Sequence, residues 1–146
     1  MIQFEHSADR FYFEKMLLHD DLQDLLHFKE MFDFRPAAIK RKEFNKIRNQ
    51  RLKTLQKKHG LTCMLNFEGC DLESGIAVDH LIPIASNVLN KTLRNLKAEK
   101  GRKVKAQSFG SNHLDNLIIA CSYCNNHKKH RLLDRERMIS ILKEKK

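Results

Sequence analysis

Residues 115–128 read DNLIIACSYCNNHK and place a short apolar run directly before two closely spaced cysteines. The run at 117–120 contains two isoleucines and predicts a strand. Cys121 and Cys124 have the C-x-x-C spacing with which one tight turn aims two thiolates at a single ion. The stretch therefore predicts a strand, a metal-binding turn and, from Asn125 onward, a helix.

A second pair of cysteines, Cys63 and Cys70, lies far upstream, with six residues between them. A loop of that length can return both sulfurs to one tetrahedral ion, and Gly69 eases the turn. Disulfides are one alternative, which the reducing compartment of an unexported chain disfavours. A redox C-x-x-C is the other, and no βαβ pattern accompanies the cysteines to favour it. We expect one structural Zn²⁺ held by Cys63, Cys70, Cys121 and Cys124, which would stabilise the fold.

Helical patterns dominate the chain before these cysteines. Residues 11–32 have apolar side chains at helical spacing, and a second helix is predicted with Pro36 at its first position and Gly60 as its stop signal. The predicted apolar positions of the first helix are Phe11, Leu18, Leu22, Leu25 and Leu26, and those of the second are Ile39, Phe44, Ile47, Leu52 and Leu55.

Short apolar runs separated by turn residues follow from about residue 60 and predict strands. One of these, at 76–84, contains Pro83, which predicts an end or a bulge there. Between this strand and the one at 117–120 we expect a helical piece at 88–100 and a turn at 108–111. The residues from Asn125 onward are predicted to close the chain as a basic amphipathic helix.

The charge is strongly positive and unevenly placed. The chain carries a formal net charge of +10, and residues 36–58 alone hold nine basic residues and one acidic residue. Residues 91–105 and 128–146 are also basic, whereas residues 1–35 are acidic. This pattern favours a polyanionic partner lying across basic elements, and solvated helix faces are the alternative.

Composition excludes several classes of protein. With 41% hydrophobic and 32% charged residues, 5 Gly and 2 Pro, the chain is neither collagenous nor wholly disordered. No run reaches the roughly 18 apolar residues of a membrane helix, and the N-terminus lacks a secretory pattern. We therefore expect a soluble cytoplasmic protein without membrane association.

The strings VDHLIPI at 78–84 and DNLIIACSYCNNHK at 115–128, with a cysteine pair upstream, resemble the zinc-bearing HNH endonucleases of restriction and phage type. The resemblance covers about residues 61–135. It implies an α+β fold in which a helical N-terminal segment with a basic helix, residues 1–60, precedes a zinc-stabilised ββα-metal (HNH) core with a C-terminal helix, residues 61–146. The 35 residues between His80 and Asn116 depart from the family and suggest an insertion that contacts substrate.

The resemblance also implies four catalytic roles. His80 would be the general base that activates water, and Asp79 and Asn125 would hold a divalent ion, Mg²⁺ or Mn²⁺. Asn116 would hold the base-bearing loop and the imidazole in place. Because adjacent strand residues point to opposite faces, Asp79 and His80 can serve one site only at a bend or an irregular strand end.

Each of these residues also has a structural interpretation. His80 could be a zinc ligand or a buried histidine, and Asp79 could be a helix cap or an ion-pair partner. Asn116 could be a turn residue, and Asn125 could cap the last helix. His127 is a second candidate for the divalent ion.

The sequence thus predicts a metal-dependent endonuclease that hydrolyses phosphodiester bonds, and the resemblance favours DNA over RNA, with 5′-phosphate and 3′-hydroxyl products. A non-catalytic zinc-bearing nucleic-acid-binding protein or accessory subunit is the alternative. An RNA-directed nuclease or toxin is the third interpretation, which no base-stacking motif favours. The candidate phosphate contacts are Lys40, Arg41, Lys46, Arg48, Arg51, Lys53, Arg102, Lys103, Lys128, Lys129 and Arg131.

Three roles fit the acidic N-terminal 35 residues: dimerisation of the chain, docking of a protein partner and shielding of the basic helix. The sequence does not choose among them.

Overall fold

The computed structural model describes residues 3–17, 28–129 and 131–145, and it is an α+β structure with small two-stranded sheets. The α-helices are α1 (Ser7–Leu17), α2 (Ala37–His59), α3 (Val88–Thr92), α4 (Ser122–Lys128) and α5 (Arg135–Lys145). The strands are β1 (Ile76–His80), β2 (Ala85–Ser86), β3 (Gln107–Ser108) and β4 (Leu117–Cys121). Short 3-10 helices lie at Phe28–Met31, Leu72–Ser74 and Leu114–Asn116.

The two sheets are both antiparallel. Strand β1 pairs with β4, so that Asp79 faces Ile118 and His80 faces Leu117, and β2 pairs with β3. The residues between His80 and Asn116 therefore leave the β1–β4 sheet, form the smaller sheet and α3, and return. As predicted, β1 ends before Pro83.

Strand β4 is buried on both faces because the pleat divides its side chains between two apolar clusters. Leu117 and Ile119 pack with Phe44 of α2, whereas Ile118 and Ala120 belong to the larger core cluster. The long helix α2 thus covers one face of the sheet and fixes its position.

The N-terminal segment shares this larger core. Phe13, Met31 and Phe32 are buried with Leu81 and Phe109 from beyond residue 60. The boundary that we predicted between residues 1–60 and 61–146 therefore does not separate two hydrophobic cores.

A buried polar contact also ties α1 to the residues between β1 and β4. Asp9 is fully buried, and its carboxylate lies 2.6 Å from the Arg94 guanidinium and accepts a hydrogen bond of 3.2 Å from Gln107. A carboxylate buried at such a position needs these partners because it has no water to solvate it.

Helix α2 ends where predicted and begins one residue later than predicted. Pro36 directly precedes the helix, as its N-cap instead of its first helical residue, and Gly60 follows it with a φ of +78°. Phe44 and Leu55 are buried and Ile47 and Leu52 are partly buried, as the apolar stripe predicts. Ile39 is 45% exposed, so its assignment to that stripe is wrong.

Other predicted elements differ from the structure. Helix α1 begins at Ser7, and Phe11 is 69% exposed, so its predicted core position is wrong. The four leucines predicted with it, at 18, 22, 25 and 26, lie outside the described residues. The stretch at 61–75 forms turns and a 3-10 helix instead of strands, and the predicted helix at 88–100 is shortened to Val88–Thr92.

The predicted C-terminal helix is divided in two. Helix α4 ends at Lys128, and Lys129 has a φ of +53°, a left-handed conformation that no continuous helix contains. Helix α5 then packs Met138, Ile141 and Leu142 into the core. The break lets α4 lie beside the β1–β4 sheet while α5 reaches back to α1.

Among the residues that the structure describes, no helix has the combined length and apolar character needed to cross a bilayer.

Candidate metal centre and catalytic site

The four cysteines form one cluster, as predicted. The Sγ atoms of Cys63, Cys70, Cys121 and Cys124 all lie within 4.8 Å of one another, and those of Cys70 and Cys121 are 3.7 Å apart. A tetrahedral zinc site with Zn–S bonds of about 2.3 Å requires S–S separations of about 3.8 Å. The cluster could therefore hold a structural metal such as Zn²⁺.

Backbone N–H groups surround the sulfurs in the way a thiolate cluster requires. Cys121 donates its N–H to Cys63 Sγ at 3.3 Å, and Cys124 donates its own to Cys121 Sγ at 3.3 Å. The wider loop is positioned by the Met64 N–H, which donates to Ile119 on β4, and it returns through Gly69 at a φ of +86°. Both turns are thus fixed by β4.

The ionisation of the cysteines supports a cationic occupant. Desolvation raises the pKa of Cys70 to about 11 and also raises that of Cys124. Desolvation also opposes ionisation of Cys121, but N–H donation from Cys124 and Asp71 outweighs it and lowers the pKa to about 6. A divalent cation would allow all four sulfurs to ionise together, because it supplies the positive charge that the buried thiolates lack.

His80 lies at the end of β1 and is only 7% exposed. Its imidazole meets the ring of Phe44 edge to face, with centroids 4.5 Å apart. Burial lowers the pKa of His80 to about 4, with a further contribution from the charges of Lys128, Lys40 and Arg41. The imidazole is therefore neutral near pH 7 and carries one unprotonated nitrogen.

Asn112 determines which nitrogen that is. The Asn112 Nδ2 donates to the Lys40 backbone carbonyl at 2.9 Å, so Oδ1 is the atom that faces His80, 2.8 Å from Nε2. An amide oxygen can only accept, and Nε2 must therefore carry the proton. The lone pair then lies on Nδ1, which is the nitrogen able to accept a proton from water.

Asp79 points to the other face of β1 and contacts α4. Its Oδ1 accepts the His80 N–H at 2.8 Å, and its Oδ2 lies 3.3 Å from Lys128 Nζ without accepting any hydrogen bond. Burial raises the pKa of Asp79, and Lys128 acts against that rise. Oδ2 is buried and accepts no well-aligned hydrogen bond, so it could serve as one ligand of a divalent ion, in competition with the Lys128 ammonium.

Asn116 is fully buried and holds the segment that follows His80. Its side-chain oxygen accepts the Ile82 N–H at 2.8 Å, and its amide donates to the carbonyls of Ile82 at 3.0 Å and Ser111 at 2.9 Å. These hydrogen bonds agree with the prediction that Asn116 holds the loop after His80. The imidazole itself is held by Asn112, which the sequence analysis did not identify.

Asn125 lies on α4, three residues before Lys128. Residues three apart on a helix share a face, and Lys128 reaches Asp79, so Asn125 belongs to the side of α4 that approaches β1. His127 is exposed, and its ring packs against Tyr123 and Phe67.

Two of the predicted phosphate contacts are wrong. Lys40 is fully buried, and its Nζ donates to the carbonyls of Asp33, Ile84 and Gly110. Lys128 is 2% exposed, and its Nζ donates to the His80 carbonyl at 2.9 Å. Both ammonium groups hold backbone carbonyls and have no surface on which to meet a phosphate.

The other predicted phosphate contacts remain at the surface. Arg51 is half-buried, and the exposed members are Arg41, Lys46, Arg48, Lys53, Arg102, Lys103, Lys129 and Arg131. Arg41 lies one helical turn before Phe44 in α2 and Arg48 one turn after it, and Phe44 contacts His80. This spacing puts both arginines on the face of α2 that carries Phe44, and the charge of Arg41 acts on His80.

Asn112 and Phe44 position His80 although neither gave a functional signal in the sequence. Asn112 lies 32 residues from His80 in a polar connection, and only the hydrogen bond in the folded chain reveals its role. Phe44 was assigned to an apolar stripe, which is correct but incomplete.

No protein-family model, curated protein or solved structure matches this chain.

Proposed function

We propose that this protein is a metal-dependent endonuclease of the HNH type that hydrolyses phosphodiester bonds in DNA. The observation that carries the proposal is the state of His80, a neutral imidazole whose protonated nitrogen is fixed by Asn112 and whose Nδ1 is left as a base. The order of β1, β4 and α4, with Cys121 at the end of β4 and Cys124 in the first turn of α4, supports the ββα-metal architecture.

The residues of the chain divide the chemistry among them. His80 Nδ1 would take the proton of a water whose oxygen attacks phosphorus, and the 3′-oxygen would leave, giving 5′-phosphate and 3′-hydroxyl ends. A positioned general base contributes roughly 10²- to 10⁴-fold to such a step. Asn112 and Phe44 hold the imidazole, so little reorientation is needed before proton transfer.

Asp79 and Asn125 are the residues that would hold Mg²⁺ or Mn²⁺. When bound, the ion would stabilise the charge that develops on the leaving oxygen. Asp79 offers a buried oxygen with no hydrogen-bond donor, which supports this assignment. Asp79 and His80 are adjacent in β1 and face opposite sides of it. His80 is the last residue of the strand, so a scissile phosphate placed at this end of β1 would lie next to both side chains.

The basic surface supports DNA as the substrate class. Arg41 and Arg48 are exposed on the face of α2 that carries Phe44, and other exposed basic residues of α2 extend the positive surface. Lysine and arginine side chains bind duplex DNA by displacing condensed counterions, with a log-log salt slope of about −0.9 per phosphate. We therefore expect binding to weaken steeply as salt rises.

A plasmid-nicking assay tests the proposal. The zinc-loaded protein should convert supercoiled plasmid to the nicked form in the presence of Mg²⁺ or Mn²⁺ and should lose this activity when the ion is omitted. His80→Ala should be inactive at unchanged zinc content. His6→Ala, which removes an exposed histidine on the N-terminal segment, is the matched control and should remain active.

The metal ligands are tested in the same assay by a neighbouring pair of asparagines. Asn125→Ala should require a higher Mg²⁺ concentration for half-maximal nicking, whereas Asn126→Ala, on an exposed position of α4, should not. Equal metal requirements in both variants would remove Asn125 from its role.

One observation favours a non-catalytic zinc-bearing nucleic-acid-binding protein or accessory subunit instead. The ammonium of Lys128 lies 3.3 Å from Asp79 Oδ2 and already supplies a positive charge to the oxygen that would bind the metal. In that case DNA binding would persist, and no nicking would be detected with either ion.

A further inference from the structure

A groove of about 610 Å³ lies on the surface beside the cysteine cluster. Its walls are the loop at 67–69, helix α4 and the segment at 131–137 that leads into α5. The volume falls within the range of roughly 300 to 1,000 Å³ of small-ligand sites and can admit one nucleotide. None of the four catalytic residues proposed above lines it.

Aromatic side chains form the floor of the groove. The rings of Tyr123 and His127 are parallel, with centroids 6.2 Å apart and planes 5° from each other, and Phe67 meets His127 edge-on at 5.5 Å. Tyr123 is 43% exposed. Tyr123 and His127 are four residues apart on α4, so the helix holds both rings on one side.

Basic groups stand at the edge of this aromatic surface, and two acidic residues, Glu68 and Asp134, also line the groove. The Arg137 guanidinium lies 4.7 Å above the Phe67 ring, and Arg131 is exposed. Lys128 lines the groove and also donates to the His80 carbonyl, so the groove begins directly behind the candidate catalytic strand. Exposed aromatic rings beside arginines are the combination that binds unstacked bases and the phosphates between them.

The Tyr123 side of the groove is held in place by the loop that carries Cys70. Gly69 approaches Tyr123 so closely that a Cβ at that position would lie 2.7 Å from the tyrosine hydroxyl oxygen. The Tyr123 N–H donates to Ser74 Oγ at 3.0 Å, which anchors the start of α4. The groove is therefore formed before any ligand arrives.

We propose that this groove binds an unpaired nucleotide of the DNA substrate, with its base on the Tyr123–His127 surface and its phosphate at Arg131. The assignment to DNA rests on the proposed function. It adds a substrate class to that function: DNA with single-stranded character next to the scissile phosphate, such as a flap, a bulge or a junction.

Binding of a fluorescein-labelled DNA single strand of about 12 nucleotides, a length within the range that single-strand-binding folds contact, tests the groove by anisotropy. The buffer contains no Mg²⁺ or Mn²⁺, so no cleavage intervenes. Tyr123→Ala should weaken binding by about 5- to 150-fold, the loss typical of one stacked base, and should weaken binding of the matching duplex less. Tyr123→Phe, which keeps the ring, should bind like the wild type.

A control variant and a fluorescent base analogue show whether binding depends on stacking at Tyr123. Phe11→Ala removes an aromatic ring that is 69% exposed on α1 and should leave binding unchanged. A 2-aminopurine in a single-nucleotide bulge should lose fluorescence when it stacks on the wild type but not on Tyr123→Ala. If Tyr123→Ala loses zinc, His127→Ala replaces it, because His127 is exposed at the other end of the ring pair.

Single-strand affinity that is the same in the wild type, Tyr123→Ala and His127→Ala would overturn the proposal. Tighter binding of the oligoribonucleotide of the same sequence would overturn the assignment to DNA. A protein that binds unpaired DNA through Tyr123 but nicks nothing would overturn the nuclease function and retain the groove. A protein that nicks DNA but binds single strands equally well with and without Tyr123 would retain the nuclease function and overturn the groove proposal.

Discussion

Replacing Lys40 by methionine should destabilise the protein strongly, although lysine usually occupies the surface. The Lys40 side chain is fully buried, and its ammonium donates at 2.6 Å to Asp33, at 3.0 Å to Ile84 and at 2.7 Å to Gly110. These three carbonyls belong to the segment before α2, the residue before β2 and the loop after β3. Lys40→Met keeps the apolar stem and removes all three bonds.

The magnitude follows from the other partners of these carbonyls. The Asp33 carbonyl still accepts from Ser108 and the Ile84 carbonyl from Phe109, so each loses one bond worth about 1 kcal/mol. The Gly110 carbonyl loses its Lys40 donor, which costs about 1 to 3 kcal/mol when the group is buried. Methionine recovers part of the loss by removing a buried charge, and a net destabilisation of about 2 to 4 kcal/mol is expected.

The loss should depend on pH. Burial lowers the pKa of Lys40 to about 8, below the roughly 10.4 of an unfolded lysine. Between these values the unfolded chain binds the extra proton, so the free energy of unfolding of the wild type rises with pH. The difference between wild type and Lys40→Met should therefore grow by about 1 to 3 kcal/mol from pH 8 to 10.4.

Urea denaturation of the zinc-loaded proteins measures both effects. Lys42→Met, an exposed lysine two residues further along α2, is the control and should change the free energy of unfolding by less than about 0.5 kcal/mol. If Lys40→Met unfolds at the same urea concentration as Lys42→Met, the buried ammonium does not hold the three segments together.

The remaining predictions concern zinc, the catalytic site and the N-terminal segment. Cys124→Ser should lose the metal and the cooperative unfolding transition, because the roughly 10 to 16 kcal/mol of structural zinc binding is as large as the roughly 5 to 15 kcal/mol stability of a whole domain; elemental analysis and circular dichroism measure both. Asn112→Ala should slow nicking at least about 10-fold at unchanged zinc content, because Asn112 positions the imidazole. The loss should not exceed the roughly 10²- to 10⁴-fold that the general base itself supplies. Asp9→Ala should cost about 2 to 4 kcal/mol in urea because Arg94 loses its buried partner, whereas Glu14→Ala, in an exposed ion pair, should cost about 0.5 kcal/mol or less.

The elements that could be predicted from the sequence are those specified by local signals. Cysteine spacing predicted the cluster, Pro36 and Gly60 bounded α2, and the isoleucines of β4 marked a buried strand. In each case a few neighbouring residues carry the information, because the turn or the periodicity is itself local.

The elements that could not be predicted depend on contacts between distant segments. Lys40 stands in a run of basic residues, and only the meeting of three carbonyls in space explains why it alone of them is buried. Asn112 reaches His80 across 32 residues of sequence. The break at Lys129 contains neither glycine nor proline, so no local signal marks it.

If His80 is the base of a phosphodiester hydrolysis, the single-turnover rate of strand cleavage must depend on its imidazole. With Mn²⁺ and equal zinc content, the wild type should cleave labelled DNA to 5′-phosphate ends at least about 100 times faster than His80→Ala, the lower bound for a general base. Equal rates in the two proteins, or no cleavage by either, would contradict the account.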